Sequence, residues 1–267
     1  MRKKIQLLAV GMLIWMGPTA SAQVFIEQGK VNLTAHPGDP LGGDVTVNNT
    51  SDKEINVKIY WEDFVYQSPY DGAKKFMPAG TSDRSLAKWI QFSPREIVLP
   101  SFGKKKISYT IAVPASAQGG YYGVLFVEPE IPDLKLDKGV KIITRVGSLF
   151  FVETEGSIKQ ASVEGLTFTG SRLQGKFANN GNVILLPQAT YYIMDRESIV
   201  ADRGELKQQY LPPAAVLDID LELKPELAPG DYTLVLTFDL QSGDVVVKEV
   251  DFTKNSDSEY VLKTVRD

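Results

Sequence analysis

Hydrophobic and polar residues alternate along most of the chain, in short runs that end at proline, glycine or asparagine. The clearest run is Ile107–Val113, where Ile, Tyr, Ile and Val alternate with Ser, Thr and Ala. This period of two predicts a β-strand with one buried face and one solvated face. Pro114 ends the run, because proline lacks the amide proton that a strand ladder needs.

The same pattern continues on both sides of residue 155, where the polar segment Glu153–Gly156 interrupts it. Gln23–Ala35 predicts a first strand that is split in two, and Leu217–Leu223 alternates as cleanly as the run described above. Helical periodicity is absent from the sequence pattern. We therefore predict an all-β fold with two tandem immunoglobulin-like β-sandwich domains, at residues 23–155 and 156–253, followed by a polar tail at 254–267.

The N-terminus has the pattern of a signal peptide. Three basic residues precede the apolar run Ile5–Met16, and Ala20-Ser21-Ala22 forms a small-x-small cleavage site. The apolar run is too short to span a bilayer comfortably. We expect residues 1–22 to be removed after Ala22, and the mature protein to be periplasmic or secreted.

Composition narrows the range of functions. Removal of the signal leaves 29 − 3 = 26 basic residues against 33 acidic ones, a net charge of −7. This balance disfavours nonspecific binding to nucleic acid. The sequence contains no cysteine, so an exported chain of this kind has neither disulfides nor thiolate chemistry.

The residues that could carry chemistry do not form a recognisable site. His36 is the only histidine and lies in a proline-flanked turn, whereas a hydrolase triad or a zinc site needs more partners. Asp218, Asp220 and Glu222 are spaced by two, which places them on the solvated face of one strand, while calcium needs oxygens wrapped around a point. We predict no catalysis, no cofactor and no metal.

The long connection Ser68–Ala87 contains Tyr70, Phe76 and Met77. Connections of this length are uncommon in compact domains and are either functional or disordered, so a short hairpin inside the segment is the favoured interpretation. The three side chains are possible loop contacts to a ligand, since Tyr and Met are enriched at recognition surfaces. They can equally fold back over the core as a local lid, and the sequence leaves both interpretations open.

The strand Val140–Glu153 gives the strongest functional signal. One of its faces can serve the core, yet the other still carries Ile143, Leu149 and Phe151. An edge strand with apolar residues on both faces needs a cover. The second domain can supply that cover, or a strand from a partner protein can add to the edge.

Four segments carry a family resemblance: Ile90–Pro94, Leu99–Gly103, Tyr121–Pro129 and Thr144–Phe151. With them, residues 24–153 resemble the N-terminal domain of the PapD-like periplasmic pilus chaperones. In that family the last strand of the domain carries alternating apolar residues that complete the open fold of a pilus subunit. The resemblance implies the same role for the strand Val140–Glu153.

The resemblance also implies a carboxylate site. A basic residue on the last strand of the family grips the C-terminal carboxylate of the subunit, and Arg145 matches it by local pattern. The family has a second gripping residue, an Arg in the first strand, where this sequence offers Gln28 and Lys30. The expected partner-binding residues are therefore Arg145, Ile143, Leu149, Phe151 and Lys30.

We interpret the chain as a non-catalytic, exported protein-binding module. Its expected partner is another extracytoplasmic protein, such as a pilin-like or surface subunit, bound through an exposed edge strand. The alternative comes from the Asn-Gly-Asn and Pro-Gly-Asp-Tyr motifs after residue 155, which equally resemble sandwich domains of bacterial surface proteins. That resemblance implies a cell-surface module that binds a polysaccharide or wall polymer.

Overall fold

The computed structural model describes residues 23–36, 38–130, 144–224, 226–241, 244–256 and 259–267. Every regular element in these residues is a β-strand, which confirms the predicted all-β class. In the same residues, no helix has the length and apolar character that a membrane crossing requires. The predicted signal peptide lies at residues 1–22, outside the described residues.

The first half of the chain forms two facing sheets. Its strands are β1 (Val24–Ile26), β2 (Lys30–Ala35), β3 (Pro40–Asn49), β4 (Ile55–Tyr66), β5 (Lys74–Pro78), β6 (Ile90–Ser93), β7 (Glu96–Leu99), β8 (Lys104–Ala112), β9 (Gly120–Pro129) and β10 (Val146–Thr154). One sheet has the order β1-β3-β8-β6. The other, which we call the wide sheet, has the order β2-β10-β9-β4-β5, with β7 also paired to β4.

The alternating residues predicted to point inward fill the space between these two sheets. Val45 and Ile107 from one sheet meet Ile59, Leu125 and Phe150 from the wide sheet, and all five are buried. Burying an apolar side chain of this size contributes about 1.5–3 kcal/mol. The core therefore stabilises the sandwich without disulfides.

The first strand is split in two, as the sequence predicted, and the structure places its two parts in different sheets. β1 pairs antiparallel with β3 in one sheet, and β2 pairs parallel with β10 in the wide sheet. The change of sheet occurs at residues 27–29, where Gly29 offers no side chain to resist it.

This pairing corrects the prediction of an open edge along the whole last strand. β10 lies between β9 and β2, and its pairing with β2 runs from Leu149 to Thr154. Leu149 and Phe151 therefore do not lie on an open edge, because the chain covers them with its own first strand. The sequence could not show this, since the two paired strands are far apart along the chain.

The second half of the chain forms another pair of sheets. Its strands are β11 (Ala161–Thr169), β12 (Arg172–Asn179), β13 (Gln188–Asp195), β14 (Val200–Glu205), β15 (Val216–Glu222), β16 (Gly230–Asp239), β17 (Val245–Ser256) and β18 (Glu259–Arg266). The sheet orders are β11-β12-β15 and β14-β13-β16-β17-β18. Leu173, Phe177, Ile219, Leu236 and Phe252 pack between them.

The predicted polar tail is wrong as a structural description. β17 continues to Ser256, and β18 pairs with it as an edge strand of the same sheet. Tyr260 of β18 is buried and stacks with Phe168, at a centroid separation of 5.6 Å. The segment looked polar because only one side of it faces the core.

Each pair of sheets encloses its own core, and the chain crosses from one pair to the other between Thr154 and Ala161. The predicted class of two tandem immunoglobulin-like sandwiches is therefore confirmed. The boundary at residue 155 as a division between independently folding units stays a prediction.

Candidate functional site

The outer face of the wide sheet, opposite the core, is aromatic and apolar instead of polar. A third buried cluster lies on it, formed by Phe64, Tyr66, Tyr122, Val124, Phe126, Phe151 and, from the second domain, Ile184. β9 reads Gly-Tyr-Tyr-Gly-Val-Leu-Phe-Val, an apolar run that predicts burial on both faces. This face is therefore where the first domain meets other structures.

The second domain covers one end of this outer face through specific hydrogen bonds. The Ile184 amide donates to the Tyr122 hydroxyl at 2.8 Å, and the Tyr210 amide donates to the Tyr70 carbonyl at 2.8 Å. The Tyr66 and Tyr210 rings stack at 4.7 Å with an interplanar angle of 18°. Burial raises the pKa of Tyr66 and Tyr122, so both hydroxyls stay protonated at neutral pH.

Two ammonium groups lie at this junction, which we call the interdomain corner. Lys30 Nζ lies 4.5 Å from the ring centroid of Phe151. Lys74 Nζ lies 4.8 Å from the centroid of Tyr66 and donates a hydrogen bond to the Gly72 carbonyl at 2.9 Å. Burial, and then the charge of Lys30, lower the pKa of Lys74, so the two charges are close enough to interact.

Lys30 and Lys74 concentrate positive charge at the interdomain corner. Within the described residues, neither Lys30 nor Lys74 forms an ion pair with a carboxylate. Two cations that repel each other across a partly dried aromatic surface are stabilised when a negative charge binds between them. A carboxylate is the simplest group that a protein partner could place there.

Arg145 lies elsewhere on the same outer face and is already paired. Its Nη1 donates to Glu62 Oε1 at 2.7 Å and to the Tyr60 hydroxyl at 2.9 Å. Its guanidinium lies 3.8 Å from the ring centroid of Phe126. The hydrogen bond to Glu62 is the main reason that the pKa of Arg145 is raised.

A short stretch of β10 beside the interdomain corner lacks a strand partner on one side within the described residues. β2 begins opposite Leu149, so Val146 and Gly147 have β9 on one side and no described strand on the other, while Ser148 is buried and its hydroxyl donates to the Gln28 carbonyl at 2.5 Å. The Leu149 amide donates to the Gly29 carbonyl at 3.0 Å, towards β2. Because backbone groups alternate in direction along a strand, those of Gly147 point to the same side, where the edge is open.

The remaining predicted contact residues are divided between different environments. Leu149 and Phe151 are on the outer face of β10, half-buried and buried respectively, while Ile143 lies outside the described residues. Phe76 and Met77 lie on β5, which pairs with β4 as a hairpin. This pairing confirms the short hairpin expected inside the Ser68–Ala87 connection.

Tyr70 contacts the second domain instead of solvent. It packs against the second-domain core and the outer-face cluster, and its carbonyl accepts the Tyr210 amide. Tyr70 therefore folds back as a lid, which is one of the two interpretations that the sequence allowed. It covers the contact between the domains and not the core of the first domain.

Lys74, Gly147 and the Tyr66–Tyr210 stack were not predicted from the sequence. Lys74 stands beside Lys75 in the Ser68–Ala87 connection, and nothing local shows that it faces an aromatic surface. The stack joins residues from different domains. The pairing of β5 with β4 places Lys74 beside Tyr66.

Comparison with solved structures identifies the fold. A chain of the chaperone–tip adhesin complex of CFA/I fimbriae biogenesis matches with a TM-score of 0.56 and 14% identity, over 85% of this chain and 97% of that chain. The class 5 fimbriae chaperone CfaA matches with a TM-score of 0.56 and 14% identity, over 84% of this chain and 97% of that chain. No family model matches the sequence, and neither does any curated protein.

The chain therefore has the two-domain fold of PapD-like fimbrial chaperones, which confirms the resemblance drawn from its sequence. At this level of identity the likeness shows the fold alone. The polysaccharide-binding alternative has no support in these comparisons.

Proposed function

We propose that this protein is a periplasmic, non-catalytic chaperone-like module that binds the C-terminal segment of another extracytoplasmic protein. The observation that carries the proposal is the pair Lys30 and Lys74, two ammonium groups without acidic partners in the described chain, at the end of an open strand edge. The fold of fimbrial chaperones supports the class of partner, a pilin-like or surface subunit.

The geometry favours one direction for the bound segment. β2 runs parallel to β10 and begins at Lys30. A partner strand can pair with the part of β10 that precedes Leu149 and run in the same direction as β2. The C-terminal end of such a strand lies next to Lys30, the first residue of β2. Its C-terminal carboxylate then arrives at the interdomain corner, and its backbone bonds to the open edge at Gly147.

Lys30 and Lys74 serve the carboxylate better than Arg145 does. Arg145 as a carboxylate ligand stays a prediction from the resemblance, and its bond to Glu62 counts against that role. Removing Arg145 from Glu62 would leave a partly buried carboxylate without its partner, which costs free energy. Within the described residues, neither Lys30 nor Lys74 has an ion pair with a carboxylate that partner binding would break.

The experiment begins with a tagged mature protein expressed in its native envelope, followed by identification of the protein that it captures. The captured protein is then prepared with its own C-terminus and with a C-terminal amide. The proposal expects tight binding of the first, at least tenfold weaker binding of the second, and the same weakening for Lys30→Gln/Lys74→Gln with the unmodified partner.

The matched control is Lys75→Gln, because Lys75 is an exposed neighbour of Lys74 on β5. It should bind like the wild type. Equal binding of the free acid and the amide would contradict the proposal, as would full binding by the double variant. Folding of each variant is checked by its thermal melt.

A further inference from the structure

The second domain has an edge strand, β14, whose backbone is paired on one side only. β14 pairs with β13, and within the described residues no strand pairs with its other side. An exposed edge of this kind is a template for pairing with another strand. Proteins commonly protect such edges with charged side chains, so the arrangement of the charges decides what the edge can bind.

The open side of β14 presents the backbone groups of Arg203 and Glu205. The Leu206 amide, one residue beyond the strand, donates to the Ala189 carbonyl at 2.8 Å, towards β13. Because backbone groups alternate in direction along a strand, those of Arg203 and Glu205 point away from β13. These two residues can therefore bond to a strand that is added at the edge.

The side chains of Arg203 and Glu205 are exposed on one face of β14 and have opposite charges. Within the described residues, neither side chain takes part in an ion pair. Gly204 adds no side chain between them, and a Cβ there would lie 2.7 Å from Tyr191 Cε1. The open edge thus carries a positive and a negative side chain on either side of a glycine.

This pattern complements itself when two copies of β14 pair antiparallel about a two-fold axis through Gly204. Arg203 of each copy then lies directly opposite Glu205 of the other, so two ion pairs form together with the backbone hydrogen bonds. A shift by two residues places either Arg203 or Glu205 opposite itself, where like charges repel. The charges therefore favour a single register.

The edge strand of the facing sheet, β15, has the opposite pattern. It carries three exposed acidic side chains, Asp218, Asp220 and Glu222. Arg172 pairs with two of them from β12, on the side away from the open edge. Two copies of β15 would place acids opposite acids, so the complementary charges of β14 are not a general property of the edges of this domain.

We propose that two copies of this protein associate through β14, in the antiparallel register that pairs Arg203 with Glu205. The occupant of the edge is a second copy of the same chain, and the contact joins the five-stranded sheets of two second domains into one continuous sheet. The contact is small, so the association is weak and depends on protein concentration. Salt weakens it further, because exposed charges are screened.

The test measures the oligomeric state of the full mature protein by analytical ultracentrifugation, over a range of protein concentrations at low salt. The wild type should form a reversible dimer that dissociates when salt is added. Arg203→Glu leaves only acids at these two positions and Glu205→Arg leaves only bases, so each variant alone should have a dimer dissociation constant at least tenfold higher. An equimolar mixture of the two variants should regain the dimer, because opposite charges then meet.

Lys75→Glu is the matched control, because Lys75 is exposed on β5 of the first domain and its replacement changes the net charge by the same amount as Arg203→Glu. It should dimerise like the wild type. The double variant Arg203→Glu/Glu205→Arg should do so as well, and it takes the place of the mixture if a single variant does not fold in a thermal melt.

Three results would overturn the proposal. The first is a wild type that stays monomeric at every concentration. The second is a pair of folded single variants that dimerise as tightly as the wild type, which would place the contact elsewhere on the molecule. The third is the absence of a dimer from both the mixture and the double variant, which would show that charge complementarity does not guide the association.

Discussion

Asn49 and Asn179 occupy equivalent positions in the two domains and share three corresponding hydrogen bonds. Each is the last residue of its strand, β3 or β12, and each is buried. The Asn49 amide donates to the carbonyls of Lys53 and Pro100, and the Asn179 amide donates to those of Val183 and Leu211. In both, Oδ1 accepts the backbone amide two residues later.

Asn49→Ala and Asn179→Ala should each destabilise the protein by about 1–3 kcal/mol, because each removes the side chain that bridges the turn and leaves the Ser51 or Gly181 amide without its described acceptor. Urea unfolding followed by circular dichroism measures the change. Asn180→Ala is the control, since Asn180 is exposed and its side chain bonds only to the Ser162 hydroxyl. A loss of stability as large in the control as in Asn179→Ala would contradict this explanation.

The turns after Asn49 and Asn179 depend on local chemistry, because Asn and Asp side chains bond to their own backbone. Alternation along single strands predicted the two sandwiches for the same reason. What it could not predict were contacts between distant segments. Glu62 and Arg145 are separated by 83 residues, and no local signal indicates that they pair.

The errors have the same origin. The open edge predicted for Leu149 and Phe151 failed because the pairing with β2 joins opposite ends of the first domain. Lys74 became part of the candidate site only after β5 folded back onto β4. The site is assembled from strand pairings, so its residue types could be predicted in part and its geometry could not.

Tyr122→Phe should loosen the contact between the two domains. The change removes the oxygen that accepts the buried Ile184 amide, and an unsatisfied buried donor costs about 1–3 kcal/mol. We expect a lower melting temperature and faster proteolysis around residues 155–160. Tyr121→Phe is the control, because Tyr121 packs against the first core and its hydroxyl makes no described hydrogen bond.

A more sensitive measurement is small-angle scattering, which reports the distance between the two domains. An increase for Tyr122→Phe and none for Tyr121→Phe is the expected result. Unchanged melting, proteolysis and scattering for Tyr122→Phe would mean that the hydrogen bond does not hold the domains together.

Arg145→Lys tests whether Arg145 braces the sheet or grips a partner. Lysine has no planar charged group to stack on Phe126, so we expect a loss of about 1 kcal/mol of stability. Partner binding should stay within twofold of the wild type. Unchanged stability with lost binding would restore Arg145 to the role that the family resemblance implied.

Lys74→Met should make the unbound protein more stable while it weakens partner binding. The pKa of Lys74 is lowered from its ordinary 10.5 by burial and by Lys30, so its charge opposes folding wherever both states are protonated. That penalty fades as the pH rises through the folded pKa and is gone above the unfolded one. The advantage of the variant in melting temperature should therefore be largest near pH 7 and shrink as the pH approaches 10.5.

Thermal melts of the wild type, Lys74→Met and the control Lys75→Met across this pH range measure the effect. Lys75 is the exposed neighbour on β5, so its variant should follow the wild type at every pH. A less stable Lys74→Met would show that the ammonium group and its bond to the Gly72 carbonyl hold the fold together. A more stable variant that no longer binds the partner carboxylate would show that this lysine is kept at a cost to stability, because a binding site needs its charge.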